Sequence, residues 1–117
     1  AFLHGNGWPS KEAMLSDYII AGHSHFAAKI GGIAEKVWLL AEAGNMMDKR
    51  YDNYNKRAKL VVVPPFNDLI VGKMIDQSSR NSLPLLKNGV FSFDTARVYD
   101  LSSNLVGRAK LVEDPSI

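Results

Sequence analysis

Three histidines are the side chains in this sequence with the clearest capacity for chemistry. His4 stands in a glycine-rich segment, and His23 and His25 share the stretch Gly22-His23-Ser24-His25 directly after a short apolar run. Neutral imidazole binds Mn, Fe, Zn or Ni, and because the chain has no cysteine, no thiolate competes for the metal. The residue types therefore admit a metal site built from imidazoles.

The spacing of His23 and His25 leaves several arrangements open. On a strand, residues i and i+2 point to the same face, whereas in a loop both imidazoles could surround one metal or face two adjacent metals. Gly22 permits a sharp turn, and Ser24 is too small to obstruct a site. An exposed pair or an ordinary structural pair is the simpler alternative, and His4 is unremarkable when taken alone.

The segments around the histidines predict a strand-rich α/β domain. Ser10 is a suitable N-cap for a short helix that ends near Asp17, and residues 18–21 form a buried strand that leads into the histidine loop. Residues 26–30 and 37–41 predict a β-hairpin, although the Ala, Glu, Lys and Leu content of residues 26–43 also suits a helix. The sequence around His23 and His25 is thus flanked by two strands.

The remainder of the chain predicts strands, loops and a terminal hairpin. Residues 45–59 read as a polar loop with a helical turn at 46–51, and residues 60–63 as a buried strand that ends at Pro64-Pro65. Residues 66–89 predict loops and short strands. Residues 97–101 and 105–112 predict a hairpin, followed by a frayed tail at 113–117. We expect one domain over residues 1–117, with strands from Tyr18, Val37 and Leu60 in its core.

Composition excludes several classes of protein. Fourteen basic and twelve acidic residues give a net charge of +2, which is too small an imbalance to indicate nucleic acid by itself. No apolar run approaches the roughly 20 residues of a membrane helix, and no secretory leader is recognisable. We therefore expect a soluble, cytoplasmic protein with no membrane partner. The apolar start at residues 1–4, without an initiator Met, suggests a processed, split or excised chain.

Several segments, taken in order, resemble the calcineurin-like metallophosphoesterases, most closely the archaeal and bacterial small phosphoesterases described as helicase- or ligase-associated. Residues 3–9 (LHGNGWP) and 17–25 (DYIIAGHSH) resemble the last two metal motifs of that family. Residues 60–69 (LVVVPPFNDL) resemble its strand ending in a P-x-F-N loop, and residues 97–99 and 105–108 its terminal hairpin. The resemblance covers most of the chain and is weakest over residues 46–57.

The resemblance implies both a fold and a metal site. The fold is the C-terminal half of a four-layer α/β/β/α metallophosphoesterase sandwich. Carried over by position, His4 and His23 share one divalent metal and His25 binds its neighbour. The pair would be Mn, Zn, Fe or Ni, with manganese favoured. Two metal ions about 3.5–4 Å apart polarise a phosphoryl group for in-line attack. This implies phosphomonoester or phosphodiester hydrolysis, with a nucleic-acid phosphodiester as the preferred substrate by analogy.

The sequence also departs from the family pattern. Many members have H-G-H at the first turn, where this chain has His4-Gly5-Asn6, so the amide of Asn6 would replace an imidazole that lies next to a metal ligand or faces the substrate. Asn67 and Asp68 would line the substrate pocket, or alternatively would only cap and turn the chain. No catalytic residue is expected in this chain beyond the metal ligands.

The family's earlier motifs, D-x-H, G-D and G-N-H, are absent from the sequence. In the family those motifs supply the carboxylates, an Asn ligand and the His that protonates the leaving oxygen. We therefore expect a complementary N-terminal half as partner, and no activity from this chain alone. The alternative is a non-catalytic phosphoesterase-fold scaffold or interaction module. The sequence leaves homo-oligomerisation open.

Overall fold

Within the residues that the structure describes, the fold is built on an eight-stranded mixed sheet with few helical residues. The computed structural model describes residues 2–3, 13–22, 25–30, 32–47, 51, 55–64, 73–75, 79, 81 and 83–109. The strands are β1 (Phe2–Leu3), β2 (Tyr18–Ala21), β3 (Phe26–Ile30), β4 (Ile33–Glu42), β5 (Lys59–Val62), β6 (Lys73–Met74), β7 (Arg97–Tyr99) and β8 (Leu105–Arg108). They form the order β1-β2-β5-β4-β3-β6, with β7 paired to β4 and β8 paired to β7.

Three neighbouring strands, β1, β2 and β5, run parallel and in register. Leu3 pairs with Ala21, and Ala21 pairs with Val62, so that these strands end at the same level. The predicted strands at residues 18–21 and 60–63 are confirmed, with the second beginning one residue earlier, at Lys59, and ending at Val62. Short β-branched and apolar runs of this kind favour buried strands.

A hairpin forms at the predicted place and the alternative helix is not observed, but the predicted pairing of residues 26–30 with 37–41 is wrong, because residues 26–30 pair with 33–37 across the tight turn at Gly32. Antiparallel pairing of β3 and β4 brings Phe26 opposite Val37 and Ile30 opposite Ile33. The turn contains Gly32 with φ of +82°, a conformation that glycine adopts without steric cost. The return strand β4 is longer than predicted. Its first half pairs with β3, and its second half pairs with β5 and β7.

One face of the sheet carries the hydrophobic core, which we call the inner face. Along β4 the residues Val37, Leu39 and Ala41 are fully buried, in alternation with half-buried neighbours. The segment before β2 contributes Met14 to the same core, and the segment between β4 and β5 contributes Met47. Burial of large side chains of this kind contributes about 1.5–3 kcal/mol each.

The helical elements within the described residues are short. The segment predicted as a helix ending near Asp17 forms a 3₁₀ turn at Ala13–Leu15. The predicted helical turn at 46–51 is supported by the Tyr51 N–H, which donates to the Met47 carbonyl at 3.0 Å. Residues 66–89, predicted as loops and short strands, contain β6 and also the unpredicted helix α1 (Pro84–Lys87).

The terminal hairpin is present but shorter than predicted. β7 and β8 pair antiparallel, with a register irregularity between Val98 and Tyr99, and β8 ends at Arg108. The predicted frayed tail at 113–117 lies outside the described residues. In the described part of the chain, no helix is long and apolar enough to cross a membrane. The overall class is a strand-rich α/β fold.

Candidate metal centre

The carboxyl ends of β1, β2 and β5 lie side by side at one edge of the sheet. In the sequence, His4 comes directly after β1, and His23 and His25 come shortly after β2. Because Leu3, Ala21 and Val62 are aligned, the chain leaves all three strands at one level. The Val63 N–H donates to the Ala21 carbonyl at 3.1 Å, which continues the ladder one residue beyond β5. Ligands of α/β sheets bind outside the carboxyl ends of parallel strands. This edge is therefore the natural place for a site.

His25 is half-buried at this edge and has a defined hydrogen-bond partner. Its Nδ1 atom lies 2.8 Å from the backbone carbonyl oxygen of Val63. A carbonyl oxygen only accepts, so Nδ1 carries the hydrogen, and in the neutral imidazole the lone pair lies on Nε2. Histidines that bind metals generally donate their second ring nitrogen to a carbonyl or carboxylate in this way.

The position of His25 is set by the strands on either side of it. Phe26, the next residue, begins β3 and is buried against Val37. Val63 precedes Pro64, and a residue before proline is restricted to extended backbone conformations, which fixes the direction of its carbonyl. The imidazole is thus anchored from both the β2–β3 and the β5 sides of the edge.

The remaining predicted site residues lie outside the described residues. They are the predicted metal ligands His4 and His23 and the predicted substrate-binding residues Asn6, Asn67 and Asp68. His4 follows the aligned strand end Leu3 directly in the sequence, and His23 lies two residues after the aligned strand end Ala21. The structure thus describes His25 and the strand ends, and the five other positions stay predictions.

The described residues alone do not supply a complete metal site. Among them, no group of three or more His, Asp or Glu side chains could hold a metal ion. A single imidazole such as His25 suits a borderline divalent ion such as Zn or Fe, but without carboxylates it is a minority of a two-metal ligand set. The donor chemistry at this edge is therefore compatible with a metal centre that other residues complete.

Sequence reasoning missed two features of the molecule. The first is the hydrogen bond between His25 and the Val63 carbonyl. The sequence indicates it only indirectly, through the Pro64-Pro65 pair that follows the strand. The second feature is a groove of about 600 Å³ at the opposite end of β4, between the turn at residues 43–46 and residues 91–95. The bridge between Ala43 and Phe91 that forms this groove has no local sequence pattern.

Comparison of the chain with protein-family models, curated proteins and solved structures finds no match.

Proposed function

We propose that this chain forms one side of a two-metal phosphoesterase site and hydrolyses phosphomonoesters or phosphodiesters when a complementary segment completes it. The observation that supports this most directly is the hydrogen bond from His25 Nδ1 to the Val63 carbonyl at 2.8 Å. It leaves the lone pair on Nε2 of a half-buried imidazole at the carboxyl ends of parallel strands.

In this proposal the three histidines divide between two metals. His4 and His23 share one divalent ion, and His25 binds the other through Nε2. Manganese is favoured, with Zn, Fe and Ni as alternatives. When bound, such a pair of ions supplies charge stabilisation for the phosphoryl group during in-line displacement. The Val63 carbonyl keeps His25 in the tautomer that can ligate.

The substrate would be held by residues near the same strand ends. Asn6 follows His4 by two residues, and Asn67 and Asp68 follow β5 after the two prolines. Their amide and carboxylate groups suit hydrogen bonds to a phosphate ester or to its leaving group. A nucleic-acid phosphodiester is the preferred substrate, by family analogy.

A complementary N-terminal half is part of the proposal because the histidines alone do not bind two dications. That half would carry the D-x-H, G-D and G-N-H motifs and would supply the carboxylates, the Asn ligand and the His general acid. Together the two halves would form the four-layer sandwich. A homo-oligomer of the completed enzyme is compatible with this arrangement.

A second candidate is a non-catalytic scaffold. The observation behind it is that the described part of the chain holds one defined role for His25, a hydrogen bond to a backbone carbonyl. In that case the bond between His25 and Val63 would serve only to join the β2–β3 loop to the end of β5.

The experiment combines the chain with a segment bearing the three N-terminal motifs. Mn²⁺ binding is measured by calorimetry, and hydrolysis with the chromogenic substrate bis(p-nitrophenyl) phosphate. His23→Ala and His25→Ala should each reduce hydrolysis by at least about 100-fold, while Lys29→Ala, an exposed change on β3, should not. Hydrolysis that survives both histidine substitutions, or a reconstituted protein that binds no Mn²⁺ or Zn²⁺, would refute the enzymatic proposal in favour of the scaffold.

A further inference from the structure

The sequence contains two Asn-Gly pairs, Asn6-Gly7 and Asn88-Gly89, and the structure describes the second of them. Asparagine followed by glycine is especially prone to spontaneous deamidation, because glycine has no side chain to obstruct attack of its backbone nitrogen on the asparagine amide. Asn88 directly follows helix α1 and is exposed, so water reaches the reacting atoms. We call residues 88–90 the Gly89 turn.

The fold itself requires glycine at position 89. Gly89 has φ of +72°, a left-handed conformation that a residue with a Cβ adopts only at a cost. It stands just beyond the end of helix α1, where helices commonly have a glycine of this conformation. A Cβ at Gly89 would also lie 3.2 Å from the Met46 side chain. The conformation that ends the helix therefore places the most reactive neighbour after Asn88.

The nucleophile of deamidation, the backbone nitrogen of Gly89, is hydrogen-bonded in the folded turn. Its N–H donates to the Leu86 carbonyl at 3.2 Å. Because the reaction needs this nitrogen to lose its proton and to approach Asn88 Cγ, the bond to Leu86 has to open first. A long hydrogen bond at the end of a four-residue helix, beside an exposed residue, is of the kind that opens by local fraying rather than by global unfolding.

The segment after β4 holds the Gly89 turn closed from the other side. The Met46 N–H donates to the Gly89 carbonyl at 3.1 Å, and the Gly44 N–H donates to the Val90 carbonyl at 2.8 Å. Gly44 lies so close to the Gly89 carbonyl that a Cβ on Gly44 would overlap it. The packing of this distant segment therefore determines how often the turn opens.

We propose that Asn88 is a site of spontaneous deamidation, that opening of the Gly89 turn sets its rate, and that the isoaspartate product prevents the turn from closing again. In the reaction, the Gly89 nitrogen loses its proton and forms a bond to Asn88 Cγ, the bond from Cγ to Nδ2 breaks, and ammonia leaves with a proton. Water then opens the cyclic imide at one of its two carbonyls, which gives aspartate or isoaspartate. This inference does not depend on the proposed metal site, which lies at the opposite end of β4 and β5.

Isoaspartate changes the backbone, whereas aspartate does not. In isoaspartate the chain runs through the former side-chain carbon, which adds one atom to the backbone at position 88. Two hydrogen bonds enclose this position, from Gly89 to Leu86 at 3.2 Å and from the Phe91 N–H to the Leu85 carbonyl at 3.0 Å. Phe91 is fully buried and bridged to Ala43, so it cannot shift to absorb the extra atom. The closed turn therefore excludes the isoaspartate form.

The test follows loss of the Asn88 amide by mass spectrometry of proteolytic peptides, after incubation of the full chain at mildly alkaline pH. A synthetic peptide of residues 83–94 gives the rate without the fold, and Asn88→Gln, whose longer side chain disfavours ring closure, gives the background. The folded chain should deamidate at least about tenfold more slowly than the peptide. Its rate should stay nearly constant in urea below the unfolding transition, because local opening exposes little surface.

Gly44→Ala places a Cβ against the Gly89 carbonyl and should speed deamidation of Asn88 at least about threefold. Gly32→Ala is the matched control, because it alters a glycine in another turn, with open space around the new Cβ, and it should leave the rate unchanged. Deamidation at Asn6 in the same samples is the reference for the incubation conditions. If Gly44→Ala does not fold, the urea dependence of the wild-type rate still tests the proposal.

The effect of the product is measured against Asn88→Asp. This variant has the charge of the deamidated chain with an ordinary backbone, so any further loss of stability comes from the added backbone atom. Labelling by isoaspartyl methyltransferase identifies the aged chain that contains isoaspartate. That chain should unfold at a lower urea midpoint than Asn88→Asp and should show faster amide hydrogen exchange at Met46 and Phe91, whose N–H groups donate to and across the turn.

Deamidation of the folded chain as fast as that of the peptide would overturn the proposal, because the turn would then not protect Asn88. A rate that rises steeply with urea, or equal acceleration by Gly44→Ala and Gly32→Ala, would assign control to global unfolding instead. An isoaspartate chain as stable as Asn88→Asp would show that the turn closes around the product.

Discussion

His25 donates its Nδ1 hydrogen to the backbone carbonyl of Val63, across 38 residues of sequence and 2.8 Å of space. The bond joins the loop after β2 to the end of β5, and it directs Nε2 away from the carbonyl that holds the ring. A structural bond and a metal ligand would thus use different nitrogens of the same side chain. That separation makes the two roles experimentally distinguishable.

Substitution of His25 by Asn and by Ala should have different effects on stability and the same effect on metal binding. The Asn side-chain amide can still donate to the Val63 carbonyl from near the Nδ1 position. The free energy of unfolding of His25→Asn should therefore stay within about 0.5 kcal/mol of the wild-type value. His25→Ala leaves the carbonyl without this donor and should lose about 0.5–1.5 kcal/mol. Neither variant has the Nε2 ligand, so both should lose Mn²⁺ affinity in the reconstituted protein. Urea unfolding and calorimetry measure the two quantities, and wild-type Mn²⁺ affinity in His25→Asn would exclude His25 as a ligand.

Gly44→Ala should destabilise the fold through a steric clash. A Cβ at Gly44 would meet the Gly89 carbonyl oxygen well inside van der Waals contact, and that oxygen is held by the Met46 N–H at 3.1 Å. Because the obstacle is backbone, the cost should be about 1–3 kcal/mol in urea unfolding. Gly32→Ala has open space around the new Cβ and should show only the backbone cost of its positive φ, about 1 kcal/mol. A smaller loss in Gly44→Ala than in Gly32→Ala would contradict the close approach.

Asp100 should make stability depend on pH in the acidic range. Hydrogen bonds from the backbone and side chain of Asn104, and then from the backbone of Ser102, hold the pKa of Asp100 below its ordinary value. A carboxylate with a lowered pKa stabilises the folded state above its unfolded pKa, and this contribution disappears as pH falls through the folded pKa. The difference in unfolding free energy between wild type and Asp100→Ala should therefore be constant near neutrality and shrink below about pH 4. A difference that is independent of pH would show that ionisation of Asp100 does not contribute.

Ser103→Gly should stabilise the β7–β8 hairpin. Ser103 has φ of +66°, a left-handed conformation that costs a residue with a Cβ about 1–2 kcal/mol, whereas glycine adopts it freely. Glycine also gains more freedom in the unfolded chain, so the expected net gain is about 0.5 kcal/mol, seen as a higher midpoint of thermal or urea unfolding. Ser102→Gly is the matched control in the same loop, and because Ser102 lacks a positive φ, it should be neutral or destabilising.

Local sequence patterns were sufficient for the central strands. Residues 18–21 and 60–63 are short, apolar and β-branched, and each is closed by a glycine or a proline, so burial and chain termination both favour a strand there. Gly31-Gly32 correctly indicated a hairpin rather than a helix, because a two-residue turn needs a positive φ that glycine alone adopts cheaply.

The same patterns did not define the elements between residues 66 and 89. Helix α1 is only four residues long, and Leu85 and Leu86 both pack into the core, so four residues provide no periodicity to recognise. The bridge between Ala43 and Phe91, and the close contact of Gly44 with Gly89, join segments nearly fifty residues apart. Such contacts depend on how the chain packs, and neither segment alone has a sequence pattern that predicts them.

For the candidate site, the sequence by itself determined the chemistry that is available: three imidazoles, no thiolate, and two of the imidazoles directly after a strand. The tertiary structure decided that β1, β2 and β5 end at one level and that the Val63 carbonyl fixes the tautomer of His25. Residue type is a property of each position, but the alignment of strand ends and a hydrogen bond across 38 residues arise only when distant segments pair. The histidines therefore indicate that the chain could bind a metal through imidazole ligands. The pairing of three parallel strands gives His25 the position and orientation from which it could act as one of those ligands.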